Sequence, residues 1–304
     1  MTGSRSLTPE QIQQFQDDGF LVLEQFIDLD FATRLANRFE LLFRGEFETG
    51  IYPDEWYWRT GMSLPDVTRH MGNVWKSDRT IASLVLSAEI ARLVATLAGW
   101  AGARIGQDTL WMKPPKGKAI ALHQDATYVS YLDPPVSMTC WITLDETCVD
   151  AGTIEYVRGS HHWTLLEHPG DFHAPERSYS WAMEQAAIAA GETDLDIVAI
   201  AIPAGSAVIH HGHIWHGSGP NPRTDKIRRS LGIHLLPAHT RFRASGSRYI
   251  FGRYQRIGDT TMDETFFPIL WTESGYRSPF LADYCADALL EVQANSEHLM
   301  QQST

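Results

Sequence analysis

The chain has 304 residues, enough for one large domain or two small ones and for a sizeable core. A formal net charge of −12 argues against nucleic acid as a partner, because binding it needs a basic stripe, and against anionic membrane surfaces. An apolar share of 43% with ten tryptophans describes an ordered globular protein rather than a disordered one.

The opening "LTPEQIQQFQDDGF" predicts a helix. Thr8 caps it, Pro9 suits the first helical position, Gln11 completes a capping box and Gly19 ends it. "FLVLEQF" reads as a short strand. A second helix carries Phe31, Leu35, Phe39 and Leu42 at helical spacing. A third runs through "TIASLVLSAEIARLVATLAG" to a stop at Gly99. From about residue 103 the texture changes to short runs rich in β-formers and bounded by Gly, Pro and Asp. These are "RIGQDTLWMK", "SMTCWITLDE", "GTIEYVRGS", "DIVAIAIPAG", "SAVIHHGHIWHGSG" and "RRSLGIHLLP". Few helices separate them, so an antiparallel sheet is expected. The stretch 163–195 interrupts the strands, reads as part helical, and is long for a plain connection.

The expected architecture is mainly β with flanking helices, a double-stranded β-helix or jelly roll in a single domain over 1–304. Residues 1–102 form its mainly helical N-terminal part, 103–240 the β core with the insertion, and 241–304 a C-terminal extension. Cys140, Cys148 and Cys285 show no C-x-x-C spacing and read as reduced thiols. No secretory h-region, no apolar run near the ~20 residues of a membrane span and no C-terminal address is seen, so a cytoplasmic location is expected.

The chemistry begins at "LHQDATY". Residues two apart on a strand point to one side, so His123 and Asp125 can grip one ion together. Downstream come His216, then Ser218 and Asn221, then Arg228 and Arg229 on the next strand. Two histidines and a carboxylate make the facial triad of non-haem Fe(II) oxygenases, which leaves metal positions open. A following arginine can clamp the far carboxylate of a dicarboxylate co-substrate through two charge-assisted bonds.

"HQDATY", "CWITLDE", "GSHHW" and "WHGSGPN…RRSLGIH" resemble the phytanoyl-CoA dioxygenase family, and the likeness runs from the first helix to about residue 237. That family comprises Fe(II)- and 2-oxoglutarate-dependent oxygenases with a double-stranded β-helix core. The resemblance implies iron ligands and catalytic residues His123, Asp125 and His216, with Fe(II), 2-oxoglutarate and O2 as cofactor and co-substrates. It also implies that Gln124, Trp141, His161 and Ser218 line the 2-oxoglutarate pocket, and that the lysine of "KPP", Lys113, approaches the site.

Strand parity chooses between the two arginines. Arg228 shares a face with Ser230, Gly232 and His234, whereas Arg229 shares one with Leu231, Ile233 and Leu235. The apolar face should pack on helices and the polar face should line the cavity, which selects Arg228. The same rule turns Thr139, Trp141 and Thr143 inward and Met138, Cys140, Ile142 and Leu144 outward. His210, His211 and His213 are expected to support the site rather than ligate.

The stretch "IYPDEWYWRTG" is unusually aromatic. With the 163–195 insertion it is expected to form a lid, and Trp56, Trp58, Trp75 and Tyr128 are the candidate substrate-binding residues. The alternative reading makes Trp56 and Trp58 fillers between helices and barrel. Arg59, Arg69 and Lys76 either meet an anionic substrate group or are solvated. Because Asp125 is a carboxylate, hydroxylation or a related C–H oxidation is expected rather than halogenation. The substrate is expected to be a small organic molecule, with secondary metabolism favoured over an acyl-CoA role. Oligomeric state is left open. The rivals are a non-catalytic metal- and 2-oxoglutarate-binding protein and a cupin-like isomerase or hydrolase; succinate formation separates them.

Overall fold

The structure, a computed structural model, describes residues 5–166, 172–246 and 249–285. Its first helix, Pro9–Asp18, is closed at both ends by its own sequence. Thr8 Oγ1 accepts the Gln11 N–H, Gln11 accepts the Thr8 N–H, and Gly19 terminates it at a φ of 82°. The second helix, Leu29–Phe43, is capped by Asp28 and buries Leu35, Phe39 and Leu42 completely.

The expected third helix is two helices, Arg79–Val85 and Ala88–Ala98. Ser87 takes an extended backbone and its hydroxyl accepts the Ile90 N–H, so a residue read as helix interior is an N-cap. By length and composition the stretch Arg79–Ala98 could cross a membrane, contrary to the expectation that no run comes near a span. It is, however, 67% buried against the rest of the protein, as core helices are.

Two antiparallel sheets form the β core. The major sheet runs Phe20–Leu23, Ala207–His211, Met138–Thr143, Arg228–Pro237, Gly102–Lys113, Ile269–Thr272, and Arg69–Gly72 also pairs with Gly102–Lys113. The minor sheet runs Ile120–His123, His216–Ser218, Glu155–Val157, Ile197–Ala199. This is the jelly-roll, double-stranded β-helix architecture that the strand pattern predicts. The major sheet draws strands from all three stretches of the chain. Phe20–Leu23 and Arg69–Gly72 come from the helical N-terminal part, and Ile269–Thr272 from the C-terminal extension.

The two faces of the major sheet differ as parity requires. Leu231, Ile233, Leu235, Met138, Cys140 and Ile142 pack with the helices in one apolar core. Arg228, Gly232, His234, Thr139 and Trp141 turn the other way, into a cavity between the sheets.

Candidate metal centre

The strand Ile120–His123 stops at His123, and Asp125 begins a 3-10 turn, Asp125–Val129. Gln124 between them keeps an extended backbone (φ −117°, ψ 121°). The alternation of a strand therefore persists one step beyond it and brings Asp125 to the side of His123. His216 opens the adjacent strand and pairs in register with His123.

The ligand atoms of His123, Asp125 and His216 lie within 4.8 Å of one another. Nδ1 of His123 bonds the Ala121 carbonyl at 2.9 Å, and Nδ1 of His216 bonds the Ile214 carbonyl at 3.1 Å. A carbonyl only accepts, so each Nδ1 carries the proton and each Nε2 presents a lone pair. Asp125 Oδ1 stands 3.4 Å from His123 Nε2 and 3.6 Å from His216 Nε2. Burial holds the His216 imidazole well below its ordinary pKa, hence neutral. Burial opposes the charged form of Asp125, but the surrounding side chains of His216, His234, His123 and His210 outweigh it. Its carboxyl stays well below the usual range. Two imidazole Nε2 atoms and a carboxylate oxygen converging on one point fit a divalent transition metal with open positions.

At the other end of the cavity Arg228 is buried. One guanidinium nitrogen donates to the Gly152 carbonyl at 2.8 Å, while Nε finds no hydrogen-bond partner among the described residues. Burial pushes its pKa down to about 10. The hydroxyl of Ser230, on the same face and fully buried, is likewise unpartnered. An unsatisfied guanidinium N–H at one end of a buried cavity suits a carboxylate, and the Ser230 hydroxyl is a second unpartnered donor two residues along the same strand face. Arg229 is engaged elsewhere, in a two-pronged pair with Asp145 at 2.6 and 2.9 Å.

Trp141 and Ser218 line the same cavity. Tyr128 lies at its mouth, 45% exposed, with its ring 6.0 Å from that of His123. Five other residues expected at the site lie elsewhere. Gln124 donates to the His213 carbonyl and accepts from the Leu166 N–H, bracing two loops. His161 packs under the first helix, with Nε2 against the Gln16 carbonyl. Trp56 and Trp58 pack against the helix-side core, where Trp58 meets Phe43 edge-on at 6.1 Å. Trp75 belongs to that core and contacts Tyr284. All three tryptophans find their apolar contacts on the helix side. Lys113 is buried and donates to the carbonyls of Ser218 and Gly219, tying the end of the His216 strand to the strand Gly102–Lys113.

The loop cations are also committed. Arg59 stacks on Trp56 at 3.4 Å, Arg69 on Trp58 at 3.8 Å, and Lys76 pairs with Asp54 at 2.8 Å. The 163–195 insertion does reach the cavity through Phe172, whose ring stands edge-on 4.5 Å from His123. Residues 167–171 of it lie outside the described residues. Its neighbour His173 stacks at 4.6 Å on His70, which stacks on Trp111. Parity with Trp141 and Arg228 had turned Thr139 and His234 towards the cavity, and both line it. Sequence reading missed Phe172 and Trp111 as cavity residues; nothing local marked Phe172.

A family model described as phytanoyl-CoA dioxygenase matches residues 15–230. A protein named dioxygenase trt7 from Aspergillus terreus is 25% identical over 248 residues, covering 76% of this chain and 74% of that one. A probable alpha-ketoglutarate-dependent hypophosphite dioxygenase from Stutzerimonas stutzeri is 28% identical over 228 residues, 72% and 75% of the two chains. Among solved structures, the non-heme alpha ketoglutarate dependent carbocyclase SnoK from nogalamycin biosynthesis superposes with a TM-score of 0.67 at 24% identity. That likeness covers 88% of this chain and 98% of that one, and it shows the fold.

Proposed function

The chain belongs to the phytanoyl-CoA dioxygenase family, and from that premise we propose that His123, Asp125 and His216 hold its iron while Arg228 clamps its 2-oxoglutarate. As a member it is an Fe(II)- and 2-oxoglutarate-dependent oxygenase that acts on a small molecule. Bound iron supplies the redox chemistry, in which O2 oxidises the substrate while 2-oxoglutarate is converted to succinate and CO2. The rest is the work of this chain. The two Nε2 atoms and a carboxylate oxygen of Asp125 would supply three ligands to the metal. The unpartnered Nε of Arg228 receives the distal carboxylate. Trp141, Trp111 and Phe172 wall the space between and exclude water.

The observation that carries this reading is the convergence of a buried, carbonyl-oriented His–Asp–His cluster and a half-satisfied buried arginine on one cavity. Asp125 also favours C–H hydroxylation over halogenation, because it occupies the place a halide would need. The substrate wall is aromatic, and the nearby loop cations are already paired or stacked, which favours an apolar or aromatic organic substrate over a CoA thioester. A reducing, cytoplasmic setting fits the three free cysteines. The test is succinate formation from 2-oxoglutarate in the iron-loaded protein, with Asp125→Ala alongside. The parent should form succinate and the variant should lose it by at least ~100-fold with the melting temperature kept, since an interaction of several kcal/mol at the metal is removed. Parent-level succinate from Asp125→Ala would overturn the ligand set.

A further inference from the structure

The second oxygen of Asp125 is more crowded than the first. Oδ2 accepts a hydrogen bond from Thr139 Oγ1 at 2.7 Å. His210 Nε2 stands 3.3 Å from it and His234 Nδ1 3.4 Å. These three side chains form one rung of the major sheet: His210 pairs in register with Thr139, and Thr139 with His234. The rung crosses three adjacent strands directly beneath the carboxylate.

The directions of the bonds are fixed by the partners. A carboxylate only accepts, so the single Thr139 proton goes to Oδ2. Thr139 Oγ1 must then accept from His234 Nδ1, which lies 2.9 Å away. His210 presents Nε2–H to Oδ2, and its Nδ1 accepts from the Tyr156 hydroxyl at 2.9 Å. Tyr156 is buried and stacks on Phe20 at 4.8 Å, so this second arm is itself held in place. Two donors, Thr139 and His210, thus converge on Oδ2, with His234 holding Thr139 in place, whereas Oδ1 faces the two imidazole Nε2 atoms. A carboxylate oxygen has about two lone-pair directions, so an oxygen that takes these donors has none left for a metal.

We propose that Thr139, His210 and His234 are positioning residues that hold Asp125 as a one-oxygen metal ligand and so reserve a further position for a chelating co-substrate. This rests on the reading that His123, Asp125 and His216 hold the metal. A 2-oxo acid that chelates needs two adjacent free positions, and a carboxylate that swung to bind through both oxygens would take one of them. The rung therefore acts on co-substrate binding rather than on metal retention. Losing it frees Oδ2 to reach the metal, so metal affinity holds or rises while 2-oxoglutarate affinity falls.

The experiment uses Co(II) as the metal probe, with Kd values for Co(II) and then for 2-oxoglutarate on the Co(II)-loaded protein, the visible Co(II) spectrum and the melting temperature. Thr139→Val removes the donor at nearly constant volume, and Thr139→Ser restores it. His234→Leu, at a side chain partly open to the cavity, carries the same comparison if Thr139→Val does not fold. Expected for the Val variant are a Co(II) Kd within ~3-fold of the parent or tighter, a 2-oxoglutarate Kd weakened about 10-fold or more, an altered Co(II) spectrum, and recovery in Thr139→Ser. Unchanged values for both ligands would overturn the proposal. So would a parallel loss of both together with melting temperature, which marks a merely structural residue. Asp125→Ala separates the underlying reading: if it binds Co(II) like the parent, the ligand set itself is wrong.

Discussion

The strand Arg228–Pro237 has two buried faces with opposite characters. Towards the helices it presents Leu231, Ile233 and Leu235, all 0% exposed and packed against aliphatic neighbours. Its other face carries Arg228, Ser230, Gly232 and His234, where Arg228 and Ser230 are buried with donors left unpartnered and His234 is partly open to the cavity. The first face stabilises the fold through transfer of apolar surface from water. The second costs stability: burial lowers the pKa of Arg228 to about 10 and that of Lys113 well below its usual value. Such groups are retained where they bind something. The difference separates what holds the protein together from what lets it work, and substitutions on the two faces should separate the same way.

The largest contrast is between neighbours. Arg228→Leu should raise the apparent KM for 2-oxoglutarate on the order of 10- to 100-fold, because a charge-assisted hydrogen bond is worth roughly 1.5–3 kcal/mol. Arg229→Leu, which breaks the pair with Asp145, should lower the melting temperature and leave that KM unchanged. A larger KM effect at Arg229 would break the division of the sheet into two faces.

The aromatic residues allow a second contrast, of intermediate size. Trp58 belongs to the helix side, against Phe43 and under Arg69. Its truncation should cost roughly 1–3 kcal/mol, less than a fully buried tryptophan, with succinate and product falling together. Phe172 belongs to the cavity. Phe172→Ala should leave the melting temperature near that of the parent and lower product formed per succinate severalfold, because water then reaches the site. If Trp58→Ala uncoupled the reaction at unchanged stability, it would be part of a lid after all.

These contrasts also mark what was legible in the sequence. Parity along "RRSLGIH" and "SMTCWIT" placed both faces of the major sheet, because a period of two leaves little choice once one face is apolar. The same period of two put His123 and Asp125 on one side, whereas His216 came from its "HGSGPN" context and the family resemblance. The tryptophans were misplaced because a Pro- and Gly-bounded aromatic run carries no periodicity, and only tertiary packing decides which side of the loop is apolar. The break at Ser87 was missed because a serine inside an apolar run fits a helix interior or a cap equally well. Gln124 and His161 were carried over from a resemblance. The side chain of Gln124 is taken up by loop backbone and that of His161 by the first helix, and neither requirement is visible in a motif.

The smallest expected effect is the part of the pH dependence that one cavity-side ring contributes. His70, on the strand Arg69–Gly72, pairs in register with Trp111 and stacks between Trp111 at 5.4 Å and His173 at 4.6 Å. Burial lowers its pKa from 6.5 to about 4. The unfolded chain therefore takes up a proton near pH 6.5 that the folded chain refuses until about pH 4. Above pH 6.5 neither state is protonated at this ring and it contributes no slope. As pH falls from 6.5 towards 4 the unfolded state binds more protons, so stability declines, by roughly 1–2 kcal/mol for a group that remains partly accessible. His70→Phe keeps the ring in the stack and removes the titration. Its melting temperature should fall less steeply than that of the parent between pH 6.5 and 4, and the two profiles should run parallel above pH 7. The helix side offers a control: Ile233→Ala should shift the whole profile down, by about 2–5 kcal/mol, without changing its slope. An unchanged acid slope in His70→Phe would mean that other groups carry the acid sensitivity of the fold.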